Sequence, residues 1–277
     1  MRKALAILVF LTAIFLSQPS FAALRVVVMD VGQGLAILLR RGSNGVLIDS
    51  GVPQFADQLL RRIAAHGVTT LDYFFLSHLH PGHAGGYFRI REKFPEAVVI
   101  GNGHPLAARR QQFIVNLYDD ALRNDPKLRV MRAGDELVWR GVTIKVLWPA
   151  TFFDQDLNRH SLVLMVSYGE SRALLMADAD NYVERRLVEQ NAVPGPVSLL
   201  VAGHHGMRKS SDARFLDAVR PRITVIPVTW SIPLYHPDDA VVARLATASW
   251  RLLRTDDDGE ICLELAADSD SPSDCEF

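Results

Sequence analysis

Three histidines, His78, His80 and His83, lie within six residues of one another, directly after the apolar run at residues 73–76. Such a run predicts a buried strand, and Pro81 with the glycines near it predicts a turn immediately behind the strand. The imidazoles therefore belong to a loop at the carboxyl end of a strand, where open α/β sheets bind ligands. On a tight turn, three neutral imidazoles can face one point and bind a divalent metal ion. The alternative is a set of exposed or helix-capping histidines.

Composition limits the classes of protein that remain. The 277 residues suffice for one large α/β domain or two small ones, and 49% of them are hydrophobic, so a sizeable core can form. The formal net charge is -1, which excludes a globally basic nucleic-acid-binding chain. Any contact with DNA would therefore rest on a local basic patch.

The amino terminus has the pattern of an export signal. A basic pair at residues 2–3 precedes an apolar run at residues 4–16, which is short for a membrane span, and small residues close the segment. We predict a signal peptide at residues 1–22, cleaved after Ala22 or Ala23, although an uncleaved anchor has a similar pattern. Cleavage would leave a chain with no integral membrane span, located in the periplasm or secreted.

The carboxyl-terminal part carries both cysteines. In an oxidising compartment Cys262 and Cys275 could form a disulfide that ties the tail to the last strand, or both could remain free thiols. Residues 268–274 are rich in Ser and Asp, a composition typical of disorder. We therefore predict one folded domain over residues 23–267, followed by a disordered tail over residues 268–277.

Further candidate ligands follow other predicted strands or lie in loops. Asp178 ends the apolar run at residues 173–177, where a buried carboxylate needs a partner or a metal ion. The alternative is that Asp178 caps the helix predicted at residues 182–190. The remaining candidates are His160, His204, His205 and His236.

The order of the predicted elements indicates the architecture. Strands come first, then a helix, then alternating strands and helices, and this order is repeated once in broad outline. Two packed sheets covered by helices on both sides satisfy such a pattern. The pattern therefore predicts an α/β fold of the mixed, α+β type.

Six motifs follow one another along the chain: D-V-G-Q-G at residues 30–34, L-I-D-S-G at 47–51, the histidine stretch at 78–86, N-R-H-S-L-V-L at 158–164, L-L-M-A-D at 174–178 and G-H-H-G at 203–206. Together they resemble the metallo-β-lactamase superfamily and, within it, the hydrolase-like domain of ComEC competence proteins. The resemblance covers nearly all of the chain after the signal peptide. It implies an αββα metallo-β-lactamase sandwich with the site along one edge.

Carried over to the matching positions, the resemblance implies a metal centre. The implied ligands are His78 and His80 for a first ion, His83 for a second, Asp178 between the two, and His204 or His205 from the later loop. Asp49 would orient the histidine loop without itself binding the metal ion. We predict His160 as the third imidazole of the first site, the alternative being an exposed loop residue. His236 and Asp30 fall where further ligands or substrate contacts could sit.

Three positions depart from the family's pattern. The superfamily's Asp in H-x-H-x-D-H is Gly82 here, which removes a ligand of the second metal site. The acidic residue that follows D-V-G-Q-G in ComEC-type domains is Leu35, and the serine after G-H-H-G is Met207. We therefore expect one ion, Zn²⁺ or Mn²⁺, and no complete second site.

The resemblance and the histidines together predict a metal-dependent hydrolase. An ion held by Asp178 and the histidines would lower the pKa of its water towards about 7 and polarise the scissile bond, with His83 as general base. The ComEC resemblance points to a phosphodiester, such as single-stranded DNA in the periplasm, and Arg208 and Lys209 could contact its phosphates. The three departures favour the alternative, a degenerate non-catalytic member that binds a ligand or a partner.

Overall fold

The computed structural model describes residues 23–32, 34–106, 112–193, 195–228 and 237–275. The predicted signal peptide at residues 1–22 and the candidate ligand His236 lie outside the described residues. Within those ranges, no helix has the length and apolarity needed to cross a bilayer.

The described residues form fifteen strands in two mixed sheets. In chain order the strands are β1 (Leu24–Val28), β2 (Ile37–Arg41), β3 (Asn44–Ile48), β4 (Thr70–Phe75), β5 (Val98–Gly101), β6 (Leu128–Val130), β7 (Glu136–Trp139), β8 (Val142–Trp148), β9 (Val163–Tyr168), β10 (Ser171–Leu175), β11 (Val197–Val201), β12 (Pro221–Ile226), β13 (Arg251–Arg254), β14 (Ile261–Leu265) and β15 (Ser273–Asp274). The first sheet has the order β15-β14-β1-β2-β3-β4-β5-β6, and the second has the order β13-β12-β11-β10-β9-β8-β7.

Eight helices accompany the sheets in the described part of the chain. They are α1 (Ala56–Ala65), α2 (Pro81–Ala84), α3 (Tyr87–Lys93), α4 (Phe113–Arg123), α5 (Asn181–Glu189), α6 (Ala213–Val219), α7 (Asp239–Ala248) and α8 (Thr255–Asp258). Short 3-10 turns lie at Pro53–Phe55, Asn158–His160 and Gly203–Gly206.

Three layers of hydrophobic core hold these elements together. Val26 and Val28 of β1 face the second sheet, whereas Val27 between them packs on the outer face. Leu59 of α1 packs on that outer face, and Leu187 of α5 packs on the outer face of the second sheet. Because both faces of each sheet are buried, the strands read as continuous apolar runs in the sequence. The predicted αββα sandwich is confirmed.

Capping residues set the beginning of the helices on the second sheet. Asp180 caps α5, and its Oδ1 accepts hydrogen bonds from the backbone N–H groups of Tyr182 and Val183 at 3.0 and 3.3 Å. A cap of this kind contributes about 1 kcal/mol. Since Asp180 caps the helix, Asp178 does not, and the carboxylate of Asp178 is left for another role.

The carboxyl-terminal segment corrects the prediction of a disordered tail. Strand β15 pairs antiparallel with β14, and Cys262 forms a disulfide with Cys275. Asp270 pairs with Arg222, which belongs to the second sheet. Composition predicts disorder because the segment has few apolar residues of its own. Its order comes from covalent and ionic partners elsewhere in the chain.

The arrangement of the sheets brings the candidate site residues to one edge. Strands β3 and β4 are parallel neighbours in the first sheet, and β10 and β11 are parallel neighbours in the second. The loops that follow these four strands carry Asp49, His78, Asp178 and His204, respectively. Both sheets therefore present the carboxyl ends of parallel strands at the same place, as ligand-binding α/β sheets do.

Candidate metal centre

Asp178 lies at the middle of the site, with 5% of its surface exposed. Two imidazole nitrogens lie against each of its carboxylate oxygens. His83 Nε2 is 3.2 Å and His205 Nε2 is 3.4 Å from Oδ1, while His78 Nε2 is 3.6 Å and His204 Nε2 is 3.9 Å from Oδ2. Oδ1 is buried against the rings of His83 and His205. Asp178 thus lies between two sets of imidazoles.

The two loops of the second sheet have an uncommon backbone at this point. Ala177, His204 and His205 have φ values of 46°, 49° and 54°. Non-glycine residues adopt this left-handed conformation at a cost of roughly 1–3 kcal/mol each, and such residues cluster at functional sites. The N–H of His204 donates to the carbonyl of Ala177 at 2.8 Å. This bond joins the loop that carries Asp178 to the G-H-H-G loop.

His78 is fixed by hydroxyl groups so that one nitrogen faces the carboxylate. The hydroxyl of Ser77 donates to Asp49 Oδ2 at 2.6 Å, so its oxygen accepts from His78 Nδ1, which lies 3.0 Å away. The proton of the neutral ring is therefore on Nδ1, and the lone pair of Nε2 points towards Asp178. His80 Nδ1 lies 3.0 Å from the same Nε2. Two imidazole nitrogens thus converge on the Oδ2 side of Asp178.

His83 is held between two carboxylates. Its Nδ1–H donates to Asp49 Oδ2 at 2.7 Å, and its Nε2 faces Asp178. Asp49 is fully buried and also accepts the N–H of Ser77 at 2.7 Å. The structure thus places Asp49 behind both His78 and His83, in the position from which a carboxylate orients a metal-binding imidazole.

His205 and His204 complete the ring of imidazoles around the carboxylate. His205 Nδ1 donates to the carbonyl oxygen of Pro227 at 2.7 Å. A carbonyl only accepts, so Nδ1 of His205 carries a proton, and Nε2 faces Asp178 Oδ1 at 3.4 Å. His204 Nε2 lies 3.2 Å from the carboxamide Nδ2 of Asn158.

Asn158 is a site residue that a search of the sequence for histidine and carboxylate ligands misses. Its carboxamide lies against His204 and also against His80. The other carboxamide atom, Oδ1, is buried and has no hydrogen-bond partner in the described part of the structure. An amide oxygen is a suitable ligand for a hard cation or an acceptor for a substrate hydroxyl. The signal in the sequence was the Asn that opens N-R-H-S-L-V-L.

His160, predicted as the third imidazole of the first site, does not join the cluster. Its Nε2 lies 3.0 Å from Asp154 Oδ1, and its ring packs against His104 and Phe153 at centroid distances of 4.5 Å. The side chain is fully buried in this aromatic group. The prediction failed because the 3-10 turn at Asn158–His160 directs side chains two residues apart to different sides.

The three departures from the family's pattern lie close to the site. The carbonyl of Gly82 accepts the N–H of Leu35 at 3.0 Å, so these two segments are in direct contact. Leu35 is 2% exposed and belongs to the core between the sheets. Met207 is half-buried and follows the G-H-H-G loop. Gly82, Leu35 and Met207 therefore supply no side-chain oxygen as a metal ligand near Asp178 Oδ1, where His83 and His205 lie.

The remaining predicted site residues lie outside the cluster. Asp30 Oδ1 accepts the N–H of Gly32 at 3.4 Å in a turn. Lys209 is exposed, and its neighbour Arg208 pairs with Asp238 at 2.9 Å. Lys209 thus lies on the surface directly after the second histidine loop.

Charges inside the cluster depend on one another. Burial alone would lower the pKa of His83, but Asp178 and Asp49 outweigh it and raise the pKa to about 10. Burial also opposes ionisation of Asp178, yet His83 and His205 hold the pKa of this carboxyl well below its usual value. Burial, reinforced by His83, holds the pKa of His78 well below its usual value. In the absence of a cation, neutral pH therefore leaves an ionised Asp178, a protonated His83 and a neutral His78.

The donor set suits a divalent cation. One ligand atom from each of His78, His83 and Asp178 lies within 4.8 Å of the others, and all three residues are buried. Imidazole nitrogen and carboxylate oxygen are ordinary ligands of Zn²⁺. His78 Nε2 lies 3.6 Å from Asp178 Oδ2 and 3.0 Å from His80 Nδ1, so a cation on this side has three candidate ligand atoms.

A four-layered αββα sandwich whose parallel strands deliver histidines and an aspartate to one edge defines a class of metal-binding fold. Comparison with family models agrees, because residues 29–230 match the model of the metallo-beta-lactamase superfamily. This chain belongs to that superfamily. Among solved structures it is similar to CmlA, a diiron beta-hydroxylase from Streptomyces venezuelae (TM-score 0.59, 15% identity, 90% of this chain and 55% of that one). It is also similar to the metallo-beta-lactamase fold protein YhfI from Bacillus subtilis (TM-score 0.54, 12% identity, 83% and 95%).

Sequence relatives place the chain near competence proteins. It is 31% identical to competence protein ComA of Neisseria gonorrhoeae over 237 residues, which are 85% of this chain and 31% of that protein. It is 28% identical to recombination protein 2 of Haemophilus influenzae over 244 residues, 86% of this chain and 28% of the other. The chain thus spans about a third of the length of these relatives, and the predicted ComEC-like branch is confirmed.

Proposed function

We propose that this protein is an exported metal-dependent hydrolase of phosphodiester bonds, such as those of single-stranded DNA. The observation that carries the proposal is the set of contacts around Asp178. His78 and His205 each turn Nε2 towards its carboxylate, at 3.6 and 3.4 Å, and the Nδ1 atom of each ring is fixed by a hydrogen bond. Imidazole nitrogens gathered around a buried carboxylate form a donor set that suits a divalent cation.

The residues on the Oδ2 side of Asp178 would hold the ion. His78 Nε2, His80 Nδ1 and Asp178 Oδ2 offer two nitrogens and one oxygen, and His204 and Asn158 stand beside them. A bound Zn²⁺ or Mn²⁺ would supply a water of lowered pKa and would polarise a phosphoryl oxygen. The Oδ1 side has His83 and His205 but lacks the family's aspartate, so we propose one ion.

His83 would donate or accept a proton at its Nε2 atom. Its Nδ1–H is fixed on Asp49, so Nε2 is the atom that faces the reacting groups. A general base must be unprotonated at the working pH. Next to an uncompensated Asp178, His83 is protonated and can only donate; a cation beside the carboxylate would offset its charge and let His83 accept a proton from water. His83 would therefore act as the predicted general base only when a cation is bound beside Asp178.

Substrate and location are proposed from relatives and sequence. The similar proteins from N. gonorrhoeae and H. influenzae are named for competence and recombination, which supports a nucleic acid substrate. Lys209, exposed beside the G-H-H-G loop, would contact a phosphate. The basic and apolar pattern of residues 1–22 supports export to the periplasm.

The departures from the family's pattern favour a second candidate, a non-catalytic member that keeps the fold and binds a ligand or a partner. Gly82 and Leu35 remove two acidic groups from the neighbourhood of the site, and Leu35 is part of the inter-sheet core. A site reduced in this way could bind an ion without turning over a substrate.

The test combines metal content with hydrolysis. The purified protein is analysed for bound metal and assayed with bis-p-nitrophenyl phosphate and single-stranded DNA, beside His78→Ala and a His66→Gln control. His66 pairs with Glu260 at the opposite end of β4 from the histidine loop. We expect activity and metal to be lost in His78→Ala alone. Stoichiometric metal with no activity would support the non-catalytic candidate, and less than about a tenth of an ion per chain after zinc exposure would refute the metal centre.

A further inference from the structure

The hydroxyl of Thr255 binds a backbone segment that belongs to a different strand. Thr255 is 3% exposed and begins α8, directly after β13. Its Oγ1 accepts the N–H of Val228 at 2.7 Å and donates to the carbonyl oxygen of the same residue at 2.6 Å. One buried side chain thus binds both backbone polar groups of Val228.

Val228 lies just past the end of β12, where the sheet no longer fixes the direction of the backbone. Strand β12 ends at Ile226, which pairs with Arg254 as the last step of the ladder between β12 and β13. The next residue, Pro227, has no N–H to donate to a neighbouring strand. The orientation of the peptide group between Pro227 and Val228 therefore depends on the hydrogen bonds from Thr255.

The same peptide group orients His205. In a trans peptide group the carbonyl and the N–H point in opposite directions. On one side, the carbonyl oxygen of Pro227 accepts His205 Nδ1–H at 2.7 Å. On the other side, the N–H of Val228 donates to Thr255. Because His205 Nε2 lies 3.4 Å from Asp178 Oδ1, a continuous chain of hydrogen bonds links Thr255 to the imidazole beside the central carboxylate.

Neither helix capping nor packing accounts for the hydroxyl of Thr255. Hydroxyl groups near a helix start commonly cap that helix. In α8, however, the N-cap residue is Arg254, and its N–H donates to Asp258 Oδ2 at 2.8 Å. Valine has nearly the shape of threonine and would fill the same space without the cost of burying a polar group. The hydroxyl is therefore present for its bonds to the backbone of Val228.

We propose that Thr255 is a positioning residue of the candidate metal centre, which holds His205 in the orientation that faces Asp178. Hydrogen bonds in series polarise and strengthen one another, so the bonds to Thr255 reinforce the bond that holds the imidazole. His205 lies on the Oδ1 side and would act on a cation at Oδ2 through the shared carboxylate. The proposal rests on the proposed function only for the site that it serves, since the ring can be observed without metal or substrate.

The test is nuclear magnetic resonance of chelator-treated protein that contains isotope-labelled histidine. A His205→Gln variant identifies the signals of His205, and the exchange of its Nδ1 proton with water is then measured. Exchange in Thr255→Val should be at least about tenfold faster than in the parent, because the peptide group that accepts this proton loses its anchor. Thr255→Ser keeps the hydroxyl, so its exchange rate should stay within about twofold of the parent rate. Thr255→Ala, which also lacks the hydroxyl, replaces the valine variant if that variant does not fold.

Thr224→Val is the matched control, because it removes a buried hydroxyl from the same region of the second sheet. Thr224 lies on β12 and is fully buried, and its hydroxyl bonds to that of Ser249 at the end of α7. We expect this variant to lose stability and to keep the parent exchange rate at His205. Equal exchange rates in Thr255→Val and Thr224→Val would overturn the proposal.

A zinc titration against a competing chelator measures the consequence for the metal centre. Groups that directly orient a metal ligand change metal affinity about 10–100-fold, and Thr255 acts through further groups, so Thr255→Val should weaken zinc binding about fivefold. Thr255→Ser and Thr224→Val should bind zinc as the parent does. Unchanged zinc affinity in Thr255→Val would also overturn the proposal. A parent protein that binds zinc but hydrolyses no phosphodiester would instead refute the proposed reaction and leave the role of Thr255 intact.

Discussion

Replacing Asp49 by asparagine should reduce both the stability and the metal affinity of the protein. Asp49 is fully buried in a left-handed conformation, with φ of 59°. Its Oδ1 accepts the N–H of Ser77 at 2.7 Å, and its Oδ2 accepts the Ser77 hydroxyl at 2.6 Å and His83 Nδ1–H at 2.7 Å. Asparagine has the same shape, but its NH₂ group would face the Ser77 N–H in one amide orientation, and the Ser77 hydroxyl and His83 Nδ1–H in the other.

The size of both effects follows from these contacts. Removing one partner of a buried ion pair costs about 3–5 kcal/mol, so the free energy of unfolding of the metal-free protein should fall by about that amount at pH 7. Loss of the group that orients a metal-binding imidazole lowers metal affinity about 10–100-fold, which corresponds to about 1.4–2.7 kcal/mol. The stability effect is thus larger than the effect on binding.

Urea unfolding of the chelated protein and a zinc titration against a competing chelator measure the two effects. Asp72→Asn is the matched control. Asp72 lies on β4 and accepts Trp139 Nε1–H at 2.7 Å and Asn44 Nδ2–H at 3.1 Å, away from the histidine loop. We expect the control to lose stability and keep its zinc affinity. An Asp49→Asn variant that binds zinc as tightly as the parent would refute the role assigned to this carboxylate.

Three further predictions concern the site and the tail. Because the pKa of His83 is raised to about 10, the stability that it contributes to the metal-free protein is complete below about pH 6.5 and is lost as the pH rises through 10. Zinc binding next to its Nε2 should accordingly release about one proton per ion at pH 7, which calorimetry in buffers of different ionisation enthalpy measures. Asn158→Ala should weaken zinc binding about tenfold, whereas His160→Gln should change it less than threefold; the opposite ranking would restore His160 as the ligand. Cys275→Ser should lower the free energy of unfolding by about 3 kcal/mol, as expected for a closed loop with a separation of 13 residues, and reductant should abolish the difference from the parent.

The ligand loops were predictable because each follows an apolar run that can only be a buried strand. The apolar runs before His78 and Asp178 end at the loops that carry these ligands. Parallel strands bring such loops to one edge of the sheet. That Asn158, and not the predicted His160, faces the cluster could not be predicted, since a short 3-10 turn decides which side chain points there. Spacing alone carries no information on that turn.

The order of the tail could not be predicted from the sequence for a related reason. Order in residues 268–275 depends on partners such as Cys262 and Arg222, far away along the chain. Periodicity and composition describe a segment on its own, so contacts between distant segments escape them.

Diffraction data collected at the zinc absorption edge from crystals grown with zinc test the central claim most directly. We predict an anomalous peak bonded to the carboxylate of Asp178 and to the Nε2 atom of His78, at about 2.0–2.2 Å from each. The carboxylate and its surrounding imidazoles would then be a metal centre. Full occupancy of zinc elsewhere on the protein, with no peak beside Asp178, would contradict the account.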